Sequence, residues 1–79
     1  MNENKFFMHR IKRNNAQWDK GIEVHDTYDA AKQSFHAYLG AYAYGHNEGT
    51  DFVQCIITDM SGAELMKENW LAPQPEPNA

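Results

Sequence analysis

Two segments of this chain alternate like β-strands but carry apolar residues at both alternating sets of positions. They are KFFMHRIKR, residues 5–13, and DFVQCIITD, residues 51–59. A period of two is typical of a strand, so apolar residues in both sets predict that both faces of the sheet are covered. The chain has one clear helical segment, and one helix can cover only one face. The other face therefore needs a partner of its own.

The helical segment is predicted to run from Tyr28 to Tyr44. Asp26 or Thr27 can cap its first amides, and Gly45 supplies a left-handed stop. One stripe at helical spacing is predicted to face the core: Tyr28, Ala31, Phe35, Tyr38, Leu39 and Tyr42.

The remaining patterns complete a small α+β domain over residues 1–71. A second short strand is predicted at Gly21–Val24, and the turn DMSG joins residues 51–59 to the strand AELMKENWL in a hairpin. The order is β(β)αββ, an antiparallel sheet of three or four strands with one helix packed across one face. Residues 72–79, with three prolines, are predicted to be a disordered tail.

Self-association follows from the uncovered face, and a symmetric homodimer or higher oligomer is the simplest solution. The candidates for that face are Phe6, Met8, Phe52, Ile56, Met66 and Trp70. A second helical stripe contains only small side chains: Ala30, Ser34, Ala37 and Ala41. This stripe indicates either an exposed surface of good helix formers or a close approach of another backbone. Gly40, unfavourable inside a helix, indicates either a close approach of a partner backbone or a ligand, or drift at a tolerant site.

Charge and cysteine content limit the classes of partner. The net charge is −4, with +3 in residues 1–20 and −7 in the rest, which argues against binding of duplex nucleic acid. The single cysteine, Cys55, lies in an apolar run, which favours a buried thiol in a reducing cytoplasm. No segment approaches the length of a membrane span, so a soluble, untargeted protein is expected.

Catalytic and metal motifs are missing from the sequence. The four histidines lack the spacing of a zinc site, the glycines form neither GxGxxG nor a phosphate loop, and Cys55 has no dyad signature. We therefore expect no enzyme activity, no metal and no cofactor.

Aromatic and cationic residues form the remaining candidate site. Trp18, Tyr44 and His46 can present flat rings or ring nitrogens, and Arg10 and Arg13 can meet phosphate oxygens. This chemistry suits a nucleotide pocket, with the base near Tyr44 and the phosphates toward Arg10 or Arg13. The alternative is that Trp18 packs against a turn and the arginines form a solvated strand face.

The plan of the chain, with KGIEVHDTYDAAKQSFHAYLGAYAYG followed by a hairpin, resembles small proteins encoded by bacteriophages. It is similar in size, plan and aromatic content to phage sponge proteins, which sequester nucleotide immune signals such as cyclic ADP-ribose derivatives. The resemblance spans about residues 5–71 and implies a non-enzymatic oligomer with pockets at or near subunit interfaces.

The expected function is therefore a homo-oligomeric cytoplasmic binder of a small nucleotide-derived ligand. The alternative is an inhibitor that blocks a host protein through its sheet face or its acidic surface.

Overall fold

A computed structural model describes residues 4–73 of the chain. The predicted tail, residues 72–79, lies outside the described residues except for its first two. One α-helix and four strands follow in the order β1 (Phe6–Asn14), β2 (Gln17–His25), α1 (Tyr28–Tyr42), β3 (Thr50–Thr58) and β4 (Glu64–Leu71).

The four strands form one antiparallel sheet in the order β2-β1-β3-β4. β1 and β2 form a hairpin, as do β3 and β4. α1 connects the edge strand β2 to the inner strand β3. These two strands are parallel to each other, with β1 between them. The predicted α+β class, with one helix on one face of an antiparallel sheet, is confirmed. The second strand is longer than Gly21–Val24 because the whole segment from Gln17 pairs with β1.

The ends of α1 follow from its sequence. Thr27 has an extended backbone, and its Oγ1 accepts a hydrogen bond of 3.1 Å from the amide of Ala30. The helix ends at Tyr42, two residues earlier than predicted, because Tyr44 already has a left-handed backbone, with φ 57°, before Gly45 at φ 80°.

The core lies between α1 and the sheet. The fully buried residues come from the helix, from its C-terminal cap, from β1 and from alternate positions of β3: Ala31, Phe35, Leu39, Ala43, Met8, Val53, Cys55 and Ile57. The other three members of the predicted stripe, Tyr28, Tyr38 and Tyr42, are partly buried against this cluster. The predicted helical face is thus the face that packs on the sheet.

Strand register decides which alternate set faces the helix. Met8 pairs with Ile57, and Ile57 pairs with Met66. Of the six candidates for the second face, only Phe52 and Ile56 lie there, and the other four lie on the helix side: Phe6, Met8, Met66 and Trp70. The sequence carries apolar residues in both sets, and only the pairing shows which set the helix covers.

No element formed by residues 4–73 covers the face of the sheet opposite α1, and we call this face the open face. Its paired residues form four rows across β2, β1, β3 and β4: Val24, Phe7, Thr58 and Glu64; Ile22, His9, Ile56 and Lys67; Lys20, Ile11, Gln54 and Asn69; Trp18, Arg13, Phe52 and Leu71. A bulge between Glu64 and Met66 leaves Leu65, which is 41% exposed, outside these rows. The apolar members of the open face are concentrated on β2 and β1.

The small-residue stripe of α1 is directed away from the sheet along much of its length. Ala37 and Ala41 are exposed, and a Cβ added to Gly40 would meet no heavy atom within 4 Å. Gly40 therefore has no close backbone or side chain among residues 4–73 that requires a glycine.

Replacement of Gly40 by alanine is predicted to stabilise the fold by about 1 kcal/mol, the usual difference between the two residues in a helix interior. Gly45→Ala is the matched change, and we expect a loss of about 1–2 kcal/mol because φ is +80° there. Urea unfolding measures both values. A Gly40→Ala protein less stable than its parent would mean that another surface approaches this position.

Cys55 lies in β3 with no exposed surface and faces α1. Burial raises the pKa of its thiol to about 12. The thiol is therefore protonated at neutral pH, in line with the structural role expected from the sequence.

The native Cys55 thiol is predicted to react with a disulfide reagent at pH 8 only as fast as the chain unfolds, because the thiol is both buried and protonated. Cys55→Ser should lower the free energy of unfolding by about 1–3 kcal/mol while leaving ligand or partner binding within a few-fold. Labelling kinetics followed by mass spectrometry tests the first point. Rapid labelling of the fully folded chain would contradict it.

Candidate functional site

An aromatic and cationic cluster occupies one end row of the open face. The Arg13 guanidinium lies 5.5 Å from the centroid of the Trp18 ring, and the Trp18 and Phe52 rings meet edge to face at 5.7 Å. Antiparallel pairing creates the cluster, because Arg13 faces Trp18 on β2 and Phe52 on β3. Trp18 is 62% exposed, so much of its ring remains accessible to a ligand.

Asp51 holds the arginine of this cluster in place. Arg13 Nε and Nη2 each donate a hydrogen bond of 2.8 Å to a different carboxylate oxygen of Asp51. These hydrogen bonds lower the pKa of the Asp51 carboxyl and raise that of Arg13. The pair fixes the guanidinium plane, and it also uses two of the donor groups that a phosphate would need.

Lys20 and a shallow depression lie next to Trp18 on the open face. Lys20 is the neighbouring open-face residue of β2, and no ion pair joins it to an acidic side chain in residues 4–73. The depression, of about 510 Å³, lies between β1 and β2 and is lined by His9, Arg10, Ile11, Lys20, Gly21 and Ile22. The Lys20 ammonium could therefore pair with an anionic group of a ligand bound next to Trp18.

Arg10 also lines the depression, but its guanidinium lies on the helix side of the sheet, away from the open-face cluster. Its Nε is 3.2 Å from Glu23 Oε2, and its guanidinium lies 5.6 Å from the centroid of the Tyr38 ring. A Cβ at Gly21 would come within 3.0 Å of Arg10 Nη2, so the glycine leaves room for the guanidinium.

Glu23 is the centre of a polar cluster that fastens α1 to β2. Its Oε1 accepts a hydrogen bond from the Ser34 hydroxyl and lies 2.9 Å from His25 Nε2. The bond from Ser34, with His25 and Arg10 nearby, lowers the pKa of Glu23. Arg10 thus serves a structural cluster under the helix.

Tyr44 and His46 lie together just beyond the end of α1. Their rings are 6.4 Å apart, and the Tyr44 ring meets Trp70 of β4 edge to face at 6.2 Å. Tyr44 is 51% exposed, and its left-handed backbone is uncommon for a bulky residue.

The five predicted site residues therefore lie in three places. Arg13 and Trp18 meet on the open face, Tyr44 and His46 meet beside the helix end, and Arg10 lies under the helix. A binding role for each of them stays a prediction. The structure adds Phe52, Lys20 and Asp51 to the open-face cluster, and the only sequence signal for them was their position in alternating segments, which requires the register to interpret.

Neither a membrane span nor a metal cluster is found among residues 4–73. No helix there has the length and hydropathy needed to cross a bilayer. The same residues contain no group of three or more histidine, cysteine, aspartate or glutamate side chains placed to hold a metal ion.

Comparison of the chain with protein-family models, with curated proteins and with solved structures found no match.

Proposed function

We propose that this protein is a non-enzymatic binder that sequesters a flat, anionic, nucleotide-derived ligand at the Trp18 end of its open face. The observation that supports this function most strongly is the Trp18, Arg13 and Phe52 cluster, on a sheet face that none of the described elements covers. Its rings can stack against a base, which is worth about 1–3 kcal/mol per base.

Arg13 orders this aromatic and cationic cluster before a ligand binds, and Lys20 adds a positive charge beside it. Because Asp51 fixes Arg13, the guanidinium is held against Trp18 before any ligand arrives, and less ordering is needed on binding. Lys20 is available to a phosphate on the same face. In a chain with a net charge of −4, such a local cation favours a ligand with few charges over a long nucleic acid.

Sequestration of a nucleotide immune signal in the host cytoplasm is the role we propose for this binding. It draws on the resemblance to phage sponge proteins and on the absence of a catalytic constellation from the sequence. A protein of this kind acts by tight binding and releases its ligand unchanged.

A second candidate function is the blocking of a host protein by the open face. Ile22 and Val24 support it, because each is 59% exposed and a small nucleotide on Trp18 would leave part of that apolar surface uncovered. Co-purification of one host protein, lost on Ile22→Lys, would favour this candidate.

Trp18→Ala is predicted to weaken binding of a nucleotide by 5- to 150-fold, the equivalent of about 1–3 kcal/mol of stacking. Lys20→Ala should weaken it less and should reduce its dependence on salt, because a phosphate contact is lost. Isothermal titration calorimetry with ADP, ADP-ribose and cyclic dinucleotides measures both effects, and heat denaturation of the complex should return the ligand chemically unchanged.

Tyr44→Ala is the matched aromatic control, because Tyr44 contacts Trp70 and His46 instead of the cluster. If Trp18→Ala retains its affinity for the nucleotide and Tyr44→Ala loses it, the pocket lies at the C-terminal end of α1. Recovery of a cleaved ligand would contradict a non-enzymatic function, and no binding by the parent to any of the nucleotides would contradict nucleotide binding.

A further inference from the structure

The open face presents more apolar surface than an antiparallel sheet normally leaves to water. Trp18, Ile22 and Val24 of β2 are 62%, 59% and 59% exposed. Phe7 and Ile11 of β1 continue the same surface. A solvated sheet face usually alternates apolar core residues with polar outer ones, whereas β2 and β1 have apolar residues where the polar set is expected.

The size of the face matches the requirement of a stable protein interface. β1 has nine residues, which extend about 30 Å, and four strands at the usual spacing span about 19 Å. The flat footprint is about 550 Å² per copy, and the accessible area of a surface covered by side chains exceeds its footprint. Two such faces together therefore reach the range of about 1,200–2,000 Å² that stable complexes bury.

The arrangement of residues on the face is compatible with its own copy. A two-fold axis that lies in the interface and crosses the strands near Gly21 would place β2 on β2 of the second copy and β1 on β1. Trp18 would then face Val24, Ile11 would face His9, and Lys20 would face Ile22. Residues of like charge do not oppose one another in the four rows, and Lys20 and Lys67 stay on the edge strands, next to solvent.

The other in-plane axis, parallel to the strands, is a poorer fit. It would place β2 on β4, so that Ile22 would face Lys67 and Val24 would face Glu64. Two of the three most exposed apolar residues of β2 would then be buried against charged side chains, at a desolvation cost. About the first axis only one of these three, Ile22, faces a charged side chain, that of Lys20.

We infer that the open face binds a second copy of this chain, face to face, about the axis that crosses the strands. The packing is that of two aligned sheets about 10 Å apart, with the helices on the two outer surfaces. The inference of a dimer is independent of any ligand.

For the ligand, the dimer deepens the proposed function and rests on it. A single open face offers only one wall, whereas pockets for small molecules usually bury most of their ligand. In the dimer, the depressions beside Lys20 of the two copies lie opposite each other near the axis and close one another, while Trp18 meets Val24 of the second copy toward the end of the edge strand. The second copy thus completes the site that the first copy begins.

Sedimentation velocity across micromolar concentrations tests the dimer, with the monomer mass of 9.1 kDa as reference. The parent is expected to sediment at twice this mass, and Ile22→Lys as a monomer, because the new charge would face the second copy. Ile22 is exposed in one chain, so the variant should retain the circular dichroism of the parent. Ala37→Glu, on the exposed side of α1, is the matched control and should remain dimeric.

The axis has a separate test in disulfide cross-linking. A mixture of Lys20→Cys and Ile22→Cys chains is expected to form a mixed disulfide faster than either chain alone. Trp18→Cys mixed with Leu71→Cys would cross-link only about the other axis, and that result would overturn this one.

Different outcomes separate the dimer from the ligand. A parent that stays monomeric at the highest concentration, or a dimer dissociated by Ala37→Glu and not by Ile22→Lys, overturns the dimer. If ADP-ribose binds the parent, Ile22→Lys should bind it at least ten-fold more weakly. Equal binding by both proteins would contradict a ligand site shared between two copies and leave the proposed nucleotide binding intact. A parent protein that dimerises but binds no nucleotide would contradict the proposed function and leave the dimer intact.

Discussion

The structure depends on one geometric constraint: a single helix covers one face of a four-stranded sheet. The helix contributes Ala31, Phe35 and Leu39 to the core. The sheet contributes Met8 and the helix-side residues of β3. Among residues 4–73, all of the buried apolar residues lie in this one layer. In the opposite layer, Trp18, Ile22 and Val24 remain 59–62% exposed in one chain, so their burial requires contact with another molecule.

Polar groups are arranged in agreement with this division. On the helix side, the cations are matched inside the chain, as Arg10 is by Glu23 and Lys12 by Asp19. On the open face, Asp51 matches Arg13 and fixes its plane, whereas Lys20 has no such acidic partner among the described residues. The helix side is therefore organised for stability, and the open face retains groups suited to binding.

The helix and the fold class were predictable because their signals are local. The stripe containing Phe35 and Leu39, the Thr27 cap and the turn before β4 all depend on residues close in the chain. The distribution of side chains between the two faces was not predictable, because a shift of register by one residue exchanges the faces. This is why Met66 and Trp70 were assigned to the wrong face, and why the meeting of Arg13 with Phe52, from distant segments, could not be seen in the sequence.

The inferred dimer covers the open face in solution and leaves the outer face of α1 exposed. Nuclear magnetic resonance with a soluble paramagnetic gadolinium chelate measures this directly, through the relaxation of individual methyl groups. We expect weak relaxation of the Ile22 and Val24 methyls at high protein concentration and strong relaxation of the Ala37 and Ala41 methyls. Equally strong relaxation of all four residues would contradict it.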